Sequence, residues 1–158
     1  MELILSYPQI KLHGPEHHFL VPAAIVTALK NHGEDLHENY LKEIELRASK
    51  VPGGTCGYWG ACGAGVGVGI AFSVFTRGSP GKKKERQDAN WATSKVLEKI
   101  ADGTEQCCKR ATRLAIEVAC DLLKEKFGIE LPHEKDRKCD FASTNKRCNK
   151  EDCGYYQS

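Results

Sequence analysis

The sequence predicts an all-α protein: a compact, single-domain helical bundle of about five helices with an irregular, cysteine-rich C-terminal tail. Apolar residues recur at intervals of three and four over several long segments, which is typical of helices packed on a core. Glycine or proline lies near the ends of these segments, and the alternation expected of strands is almost absent. A chain of 158 residues suits one domain. We divide it into a lead-in (residues 1–16), a helical core (17–128) and a cysteine-containing tail (129–158).

The first helix is predicted over residues 21–31. Pro22 suits a first turn, and Gly33 suits a C-terminal stop. Upstream of it, in the lead-in, residues 3–5 are the one segment for which the sequence indicates a short strand.

The second helix is predicted over residues 36–50. Asp35 followed by Glu38 matches a capping box, in which the two side chains satisfy backbone N–H groups at the helix start.

Residues 61–75 are predicted to form a buried central helix. Gly63, Gly67 and Ala71 are four apart and share one helix face. A glycine inside a helix costs about 1 kcal/mol relative to alanine. We therefore expect another backbone, or a ligand, to lie close against this face.

The last two helices are predicted over residues 89–101 and 108–127. The latter has the clearest apolar stripe, and Gly128 is its expected stop. The basic run at residues 82–86 is expected to form a solvated loop, which would also suit docking on a partner.

Charge and hydropathy exclude two classes of function. The chain has 23 basic and 21 acidic residues, without the strong basic excess of a nucleic-acid-binding protein. The longest weakly polar run, residues 61–76, is shorter than the roughly 20 apolar residues of a membrane span. The first ten residues do not resemble a secretory signal, so we expect a cytoplasmic protein.

Eight cysteines are the unusual feature of the composition. In a reducing compartment, so many cysteines indicate metal binding or catalysis more often than disulfides. Cys120 lies mid-helix among apolar residues and is expected to belong to the core. The other seven fall into three local groups and are predicted metal ligands: Cys56, Cys62, Cys107, Cys108, Cys139, Cys148 and Cys153.

The first group, Cys56 and Cys62, is surrounded by glycine at the predicted start of the central helix. The partial positive charge at a helix N-terminus stabilises thiolate. Glycine also lets backbone N–H groups approach the sulfides of an iron–sulfur cluster. The glycines predicted to contact such a cluster are Gly54, Gly57, Gly60 and Gly63. The alternative is a tight packing turn with two incidental buried cysteines.

The second group, Cys107 and Cys108, follows residues 103–106 and precedes two cations. Lys109 and Arg110 favour ionised thiols or, as candidate catalytic residues, hold a carboxylate or phosphate of a substrate. The alternatives are one ligand with one packed cysteine, or no ligand at all. Thiol or persulfide transfer ranks last, because adjacent cysteines form only a strained disulfide.

The third group is Cys139, Cys148 and Cys153, with His133 upstream. Together the four side chains would make a zinc site. The three thiolates could instead hold three irons of a four-iron cluster and leave one iron open. Elsewhere, His18 is a candidate for proton transfer near a cluster, since histidine titrates near neutral pH.

Two segments carry a resemblance to a known family: GGTCGYWGACGAGVGVGIAFSVFTRGSP (53–80) and EQCCKRATRLAIEVA (105–119). They resemble a cysteine-rich domain family of unknown function from methanogens and other anaerobes. Its members occur alone or attached to methyltransferase-like or radical SAM-like proteins. The likeness runs through most of the chain. It implies an anaerobic, cytoplasmic setting and supplies no activity.

A weaker likeness is to the iron–sulfur serine dehydratase α-chains and to cysteine desulfidases. Those enzymes hold a four-iron cluster with three cysteines and use the open iron as a Lewis acid. The likeness implies that Cys56 or Cys62, together with Cys107 or Cys108, would be ligands here. This chain is shorter than those enzymes, departs from their exact motifs, and has a tail of three cysteines without a counterpart in them.

We therefore expect a metal-binding protein, with a [4Fe–4S] cluster favoured and zinc as the alternative. The expected function is that of a lyase of the dehydratase or desulfidase type, or another sulfur-handling enzyme, acting on a small anionic substrate. The alternative is an accessory or binding module in which the metal is structural. Such a module would dock on a partner methyltransferase-like or radical SAM-like enzyme.

Overall fold

The computed structural model describes residues 1–102, 105–134 and 137–157. Within these residues the protein is all-α, as predicted, and contains no strand. Five of the helices, α2, α3, α5, α6 and α7, have nine residues or more and correspond to the five predicted ones. The helices are α1 (Glu2–Leu5), α2 (Glu16–His32), α3 (Tyr40–Ala48), α4 (Thr55–Tyr58), α5 (Gly63–Phe75), α6 (Lys83–Ala101) and α7 (Cys108–Phe127), with a 3-10 helix at Lys150–Asp152.

Helix α5 lies at the centre of the bundle and packs against α2, α3, α6 and α7. Its sequence consists almost entirely of apolar residues and glycine, so it can be buried on all sides. The neighbouring helices each bury one apolar stripe against it. The fully buried apolar residues are Leu5, Val21, Val26, Leu29, Ile44, Val68, Ala71, Ala92, Val96, Ala115, Ala119 and Leu123.

The glycines of α5 allow two neighbouring helices to approach its backbone closely, as the sequence predicted. A Cβ atom at Gly67 would lie 2.8 Å from Pro22 Cδ and 3.2 Å from the His18 carbonyl oxygen, both on α2. A Cβ atom at Gly69 would lie 2.0 Å from Thr93 Oγ1, on α6. Helix α5 is therefore in close contact with α2 at Gly67 and with α6 at Gly69.

Helix α2 begins earlier than predicted, at Glu16 rather than residue 21, and Pro22 lies inside it. A proline inside a helix cannot donate to the carbonyl four residues before it, here that of His18. That carbonyl faces Gly67, where the absence of a side chain leaves room for it. Gly33 ends the helix in the left-handed conformation, as predicted.

The predicted capping box is wrong. Helix α3 begins at Tyr40 after Asn39, and no side chain caps it. The Asp35 carboxylate instead accepts a hydrogen bond from Arg77 Nη2 at 2.8 Å. The Asp35 side chain therefore forms a tertiary ion pair instead of the helix cap that the local pattern predicted.

Two further local predictions are corrected. The expected strand over residues 3–5 lies within helix α1. Most of the basic run at residues 82–86 belongs to the first turn of α6, which begins at Lys83 rather than at residue 89. Lysine, glutamate, arginine and glutamine are good helix formers, so the helix continues upstream until Gly81. Helix α7 and its left-handed stop at Gly128 are as predicted.

Candidate functional site

Two cavities bordered by cysteines lie at the start of α7. The wide cavity has a volume of about 610 Å³ and is bordered by Cys56, Cys62 and Cys108. The narrow cavity has a volume of about 20 Å³ and is bordered by Cys107, Cys139, Cys148 and Cys153. Cys107, at the boundary, also borders the wide cavity. The fold therefore unites all three cysteine groups of the sequence, but in two separate places.

The wide cavity brings α4 and the starts of α5 and α7 together. Cys56 lies on α4, Cys62 immediately precedes α5, and Cys108 is the first residue of α7. Burial is the largest cause that raises the pKa of Cys108 to about 11, and the nearby thiols of Cys62, Cys107 and Cys56 act in the same direction. Thiols from distant parts of the sequence therefore lie close enough around this space to influence one another.

Polar side chains beside these thiols come from the segment before α7 and from its first turn. Glu105, Gln106 and Arg110 border the wide cavity. Gln106 Nε2 donates to Cys56 Sγ at 3.8 Å, and Arg110 Nη1 donates to the Ile100 carbonyl at 3.3 Å. The cavity thus combines a guanidinium, an amide and a carboxylate with four thiols, one of which, Cys107, lies at its boundary. Gly103 and Thr104, at the start of the second cysteine motif, lie outside the described residues.

Cys62 and Cys107 directly precede helices, as expected, and helix-terminal N–H groups face their sulfurs. The N–H groups of Ala64 and Gly65 lower the pKa of Cys62, and that of Arg110 lowers the pKa of Cys107. Burial acts in the opposite direction and is the larger effect, so both pKa values are raised. Without a metal, these groups are protonated thiols at neutral pH and poor nucleophiles.

The four glycines predicted to contact a cluster divide into two pairs. Gly54 and Gly57 border the wide cavity. Gly60 has a φ of 67° and makes a left-handed turn before α5. Gly63 leaves room for the ring of His18, whose Cδ2 atom would lie 2.2 Å from a Cβ atom at this position. The second pair therefore shapes the backbone around Cys62 rather than the cavity wall.

His18, the candidate for proton transfer, lies behind Gly63 rather than in the wide cavity. Its side chain is buried, and Nδ1 donates to the Val51 carbonyl oxygen at 3.0 Å. The ring is absent from the wall of the wide cavity in the described part of the chain. Its position favours a role in holding the start of α5.

Lys109 and Arg110 face different surroundings, although the sequence places them together. Arg110 borders both cavities. Lys109 is completely buried, and its Nζ donates to the carbonyls of Leu5 and Ile10 at 2.8 and 3.3 Å. Burial lowers the pKa of this ammonium. Lys109 therefore has no exposed charge to offer a substrate, whereas Arg110 does border a space that a substrate can enter.

The narrow cavity is rich in N–H groups directed at sulfur. Backbone N–H groups of Arg110, Phe141 and Lys150 donate at 3.4 Å to Cys107, Cys139 and Cys148, respectively. Asn145 Nδ2 donates to Cys107 Sγ at 3.5 Å, and Arg113 Nη1 donates to Cys139 Sγ at 3.4 Å. Sequence reasoning missed both of these side chains. The asparagine lies in the irregular tail, and the arginine is a charged residue of α7, so neither has a local sequence signal for contact with a cysteine.

The proposed zinc set of His133 with the three tail cysteines is not formed. His133 borders a different cavity, beside Cys120 and Leu131, and its Nδ1 donates to the Leu131 carbonyl at 3.2 Å. The fourth cysteine at the narrow cavity comes from α7 instead. Cys120 itself is buried in the core, as predicted.

As the side chains stand, no group of three or more His, Cys, Asp and Glu side chains in the described ranges is placed to hold one metal ion. A single ion in the narrow cavity would require the thiols to turn toward it. A four-iron cluster holds its sulfur ligands apart, so the thiols of the wide cavity need not lie close to one another to bind it.

Fold and site together define an all-α, cysteine-rich protein with thiols grouped around two cavities. The chain matches the family of unknown function DUF5714 over residues 1–156 and belongs to that family. No curated protein and no solved structure matches it. Among the described residues, no helix is both long enough and apolar enough to cross a membrane.

Proposed function

We propose that this protein is an iron–sulfur enzyme whose [4Fe–4S] cluster is held in the wide cavity by Cys56, Cys62 and Cys108. The observation that carries the proposal is the convergence of these three thiols on a space of about 610 Å³. Three thiolates leave one iron of a four-iron cluster without a protein ligand. The remaining volume gives a small substrate access to that iron.

The side chains of the cavity suit a small anionic substrate. Arg110 would bind a carboxylate, because a guanidinium pairs with a carboxylate through two parallel hydrogen bonds. Glu105 borders the same space and would accept a proton, in place of the buried His18. The bound cluster would supply Lewis acidity toward a leaving hydroxyl or thiol group. An elimination of this kind removes one proton and one leaving group and requires no external oxidant or reductant.

The alternative function is that of an accessory module that docks on a partner enzyme. It is favoured by Tyr58 and Trp59, which are 87% and 68% exposed and lie between Cys56 and Cys62 in sequence. Large exposed aromatic side chains are enriched at protein interfaces. In this function the cluster would exchange electrons with a redox centre of the partner. An anaerobic, cytoplasmic setting, as the family resemblance implies, suits both proposals.

The first test is anaerobic purification of the full chain, followed by iron, zinc and sulfide analysis and a visible spectrum. The proposal predicts about four irons and four sulfides per chain and a brown colour that air bleaches. Release of pyruvate from serine or cysteine would then test the lyase function. Protein that contains zinc but no sulfide would refute the cluster.

Matched alanine variants locate the cluster. Cys56→Ala, Cys62→Ala and Cys108→Ala should each lose most of the iron, while Cys120→Ala, in the core of α7, should retain it. Arg110→Met should retain iron and raise KM more than it lowers kcat, because the guanidinium binds ground state and transition state alike. Full iron content in all three cavity variants would rule the assignment out.

A further inference from the structure

We infer that the narrow cavity is a second metal site, in which Cys107, Cys139, Cys148 and Cys153 bind one zinc ion. The four thiols border one small space, and no thiol of the proposed cluster is among them. The inference therefore goes beyond the proposed function and does not depend on it.

The hydrogen bonds around these sulfurs are those that a thiolate requires. Three backbone N–H groups and two side chains donate to Cys107, Cys139 and Cys148 at 3.4–3.5 Å. A neutral thiol is only a weak acceptor, so it gains little stability from one such hydrogen bond and little more from a second. A metal-bound thiolate gains more, because hydrogen bonds from surrounding groups orient metal ligands and stabilise their charge.

The charges around the narrow cavity point the same way. Lys109 borders the cavity and is completely buried, and among the described residues the Glu16 and Glu2 carboxylates interact with its charge without forming a salt bridge to it. Its Nζ is held by two carbonyls and lies 4.6 Å from the centre of the Phe141 ring. Buried charges are normally paired with an opposite charge. Four thiolates around a dication carry two net negative charges and would supply it.

Arg113 is a second buried cation, and it contacts Cys139, one of the four thiols, although it lines a different cavity. It forms two hydrogen bonds to the Glu2 carboxylate, at 2.8 and 2.7 Å, and directs a further N–H group at Cys139. The Glu2 carboxylate fixes the guanidinium, and the guanidinium in turn holds the sulfur. This chain of contacts links the lead-in, α7 and the tail.

The size of the cavity indicates a single ion rather than a cluster. A cavity volume of about 20 Å³ is enough for roughly one water-sized body. A zinc ion bound by four thiolates needs only sulfurs about 2.3 Å from one point. Because the side chains as placed form no metal-holding group in the described residues, the four thiols would turn inward when the ion binds.

Zinc at this position would tie the tail to the bundle. The tail has little regular structure beyond the 3-10 helix, and the Cys139 N–H donates to the Tyr155 carbonyl at 2.7 Å. Three of the four ligands belong to the tail, and the fourth, Cys107, immediately precedes α7. A structural zinc contributes its binding free energy to folding, so it can hold such a segment in place.

The test starts with the unaltered full chain. Protein purified anaerobically should contain about one zinc per chain. After removal of metal by a chelator, Co²⁺ should bind with the intense visible bands and sulfur-to-cobalt charge transfer of a tetrahedral tetrathiolate site. Zinc should displace the cobalt. Weak cobalt bands typical of octahedral oxygen ligands, or iron bound in place of zinc, would overturn the inference.

Variants separate this site from the proposed cluster. The triple variant Cys56→Ala, Cys62→Ala, Cys108→Ala should keep the zinc, whereas Cys139→Ala and Cys148→Ala should lose it. The zinc-free protein should also be cleaved faster by protease within residues 137–157. Zinc retained in both tail variants would overturn the inference, as would iron and sulfide in the triple variant. Absence of a cluster in the wide cavity would leave the zinc site unaffected.

Discussion

The wide and narrow cavities contain the same kind of ligand and differ in what surrounds it. The wide cavity has about 610 Å³ beside Cys56, Cys62 and Cys108, with Cys107 at its boundary, whereas the narrow cavity has about 20 Å³ among four thiols. Arg110 borders both, but a completely buried cation, Lys109, borders only the narrow one in the described structure. Space and an incomplete ligand set favour chemistry on a substrate, while enclosure and a complete ligand set favour a structural metal.

The division between the two regions falls on a single peptide bond. Cys107 has extended backbone angles (φ −140°, ψ 103°), whereas Cys108 is the first residue of α7. Side chains at such neighbouring positions leave the backbone in different directions. The start of a helix thus directs two adjacent cysteines toward partly different cavities, a difference that the sequence motif alone does not show.

The largest expected effect comes from replacing each of these two neighbouring cysteines by serine in a separate variant. Cys108→Ser should remove iron and sulfide but leave zinc, and Cys107→Ser should do the reverse. The reason is that each thiol is assigned to one proposed site, Cys108 to the cluster and Cys107 to the zinc, although Cys107 also borders the wide cavity. Elemental analysis of both variants checks this prediction, with Cys120→Ala as the control. Equal loss of both metals from each variant would mean that the two cavities form one site.

A smaller effect is expected at the wide cavity from Gly63→Ala. A Cβ atom at this position would lie 2.2 Å from the His18 ring, so the variant should lose about 2–3 kcal/mol of unfolding free energy through overpacking. Gly57→Ala is the matched control, since a Cβ atom there meets no heavy atom within 4 Å. Urea unfolding of both variants provides the measurement. Equal stability of the two would show that the His18 ring moves aside freely.

Lys109→Met tests the charge of the narrow cavity. It should lower the unfolding free energy of the zinc-loaded protein by about 1–2 kcal/mol, because two buried carbonyls lose their donor. The loss of unfolding free energy caused by Lys109→Met should be smaller in the zinc-free protein, because the ammonium then has no thiolates to neutralise. Thermal unfolding with and without zinc measures this difference, and Lys99→Met on exposed α6 surface is the control. An identical cost in both forms would contradict the proposed charge pairing.

The smallest effect is expected from Asn145→Ala. The amide donates to Cys107 Sγ at 3.5 Å, and removing such a support typically weakens metal binding by about 10-fold. Competition between the protein and a zinc-binding dye measures the affinity. The exposed neighbour Thr144→Ala should bind zinc normally. Unchanged zinc affinity in Asn145→Ala would show that the Asn145 amide does not contribute to zinc binding by the four thiols.

Much of the helical core could be predicted because the relevant signals are local. The apolar stripe of α7 and the stop at Gly128 predict that helix correctly, and the glycine spacing predicts the close packing of α5. Errors arise where a distant residue competes. Asp35 binds Arg77 instead of capping a helix, and Pro22 lies inside α2, against the glycine face of α5.

The sequence by itself determined the helical class, the central glycine helix and the placement of Cys62 and Cys107 at helix starts. Each of these follows from residues within a few positions of one another. Only the tertiary structure decided which thiols face each other, that Lys109 is buried, and that His133 lies away from the tail cysteines. Those outcomes depend on how helices and tail pack across long sequence separations, and hydrophobic periodicity carries no record of such partners.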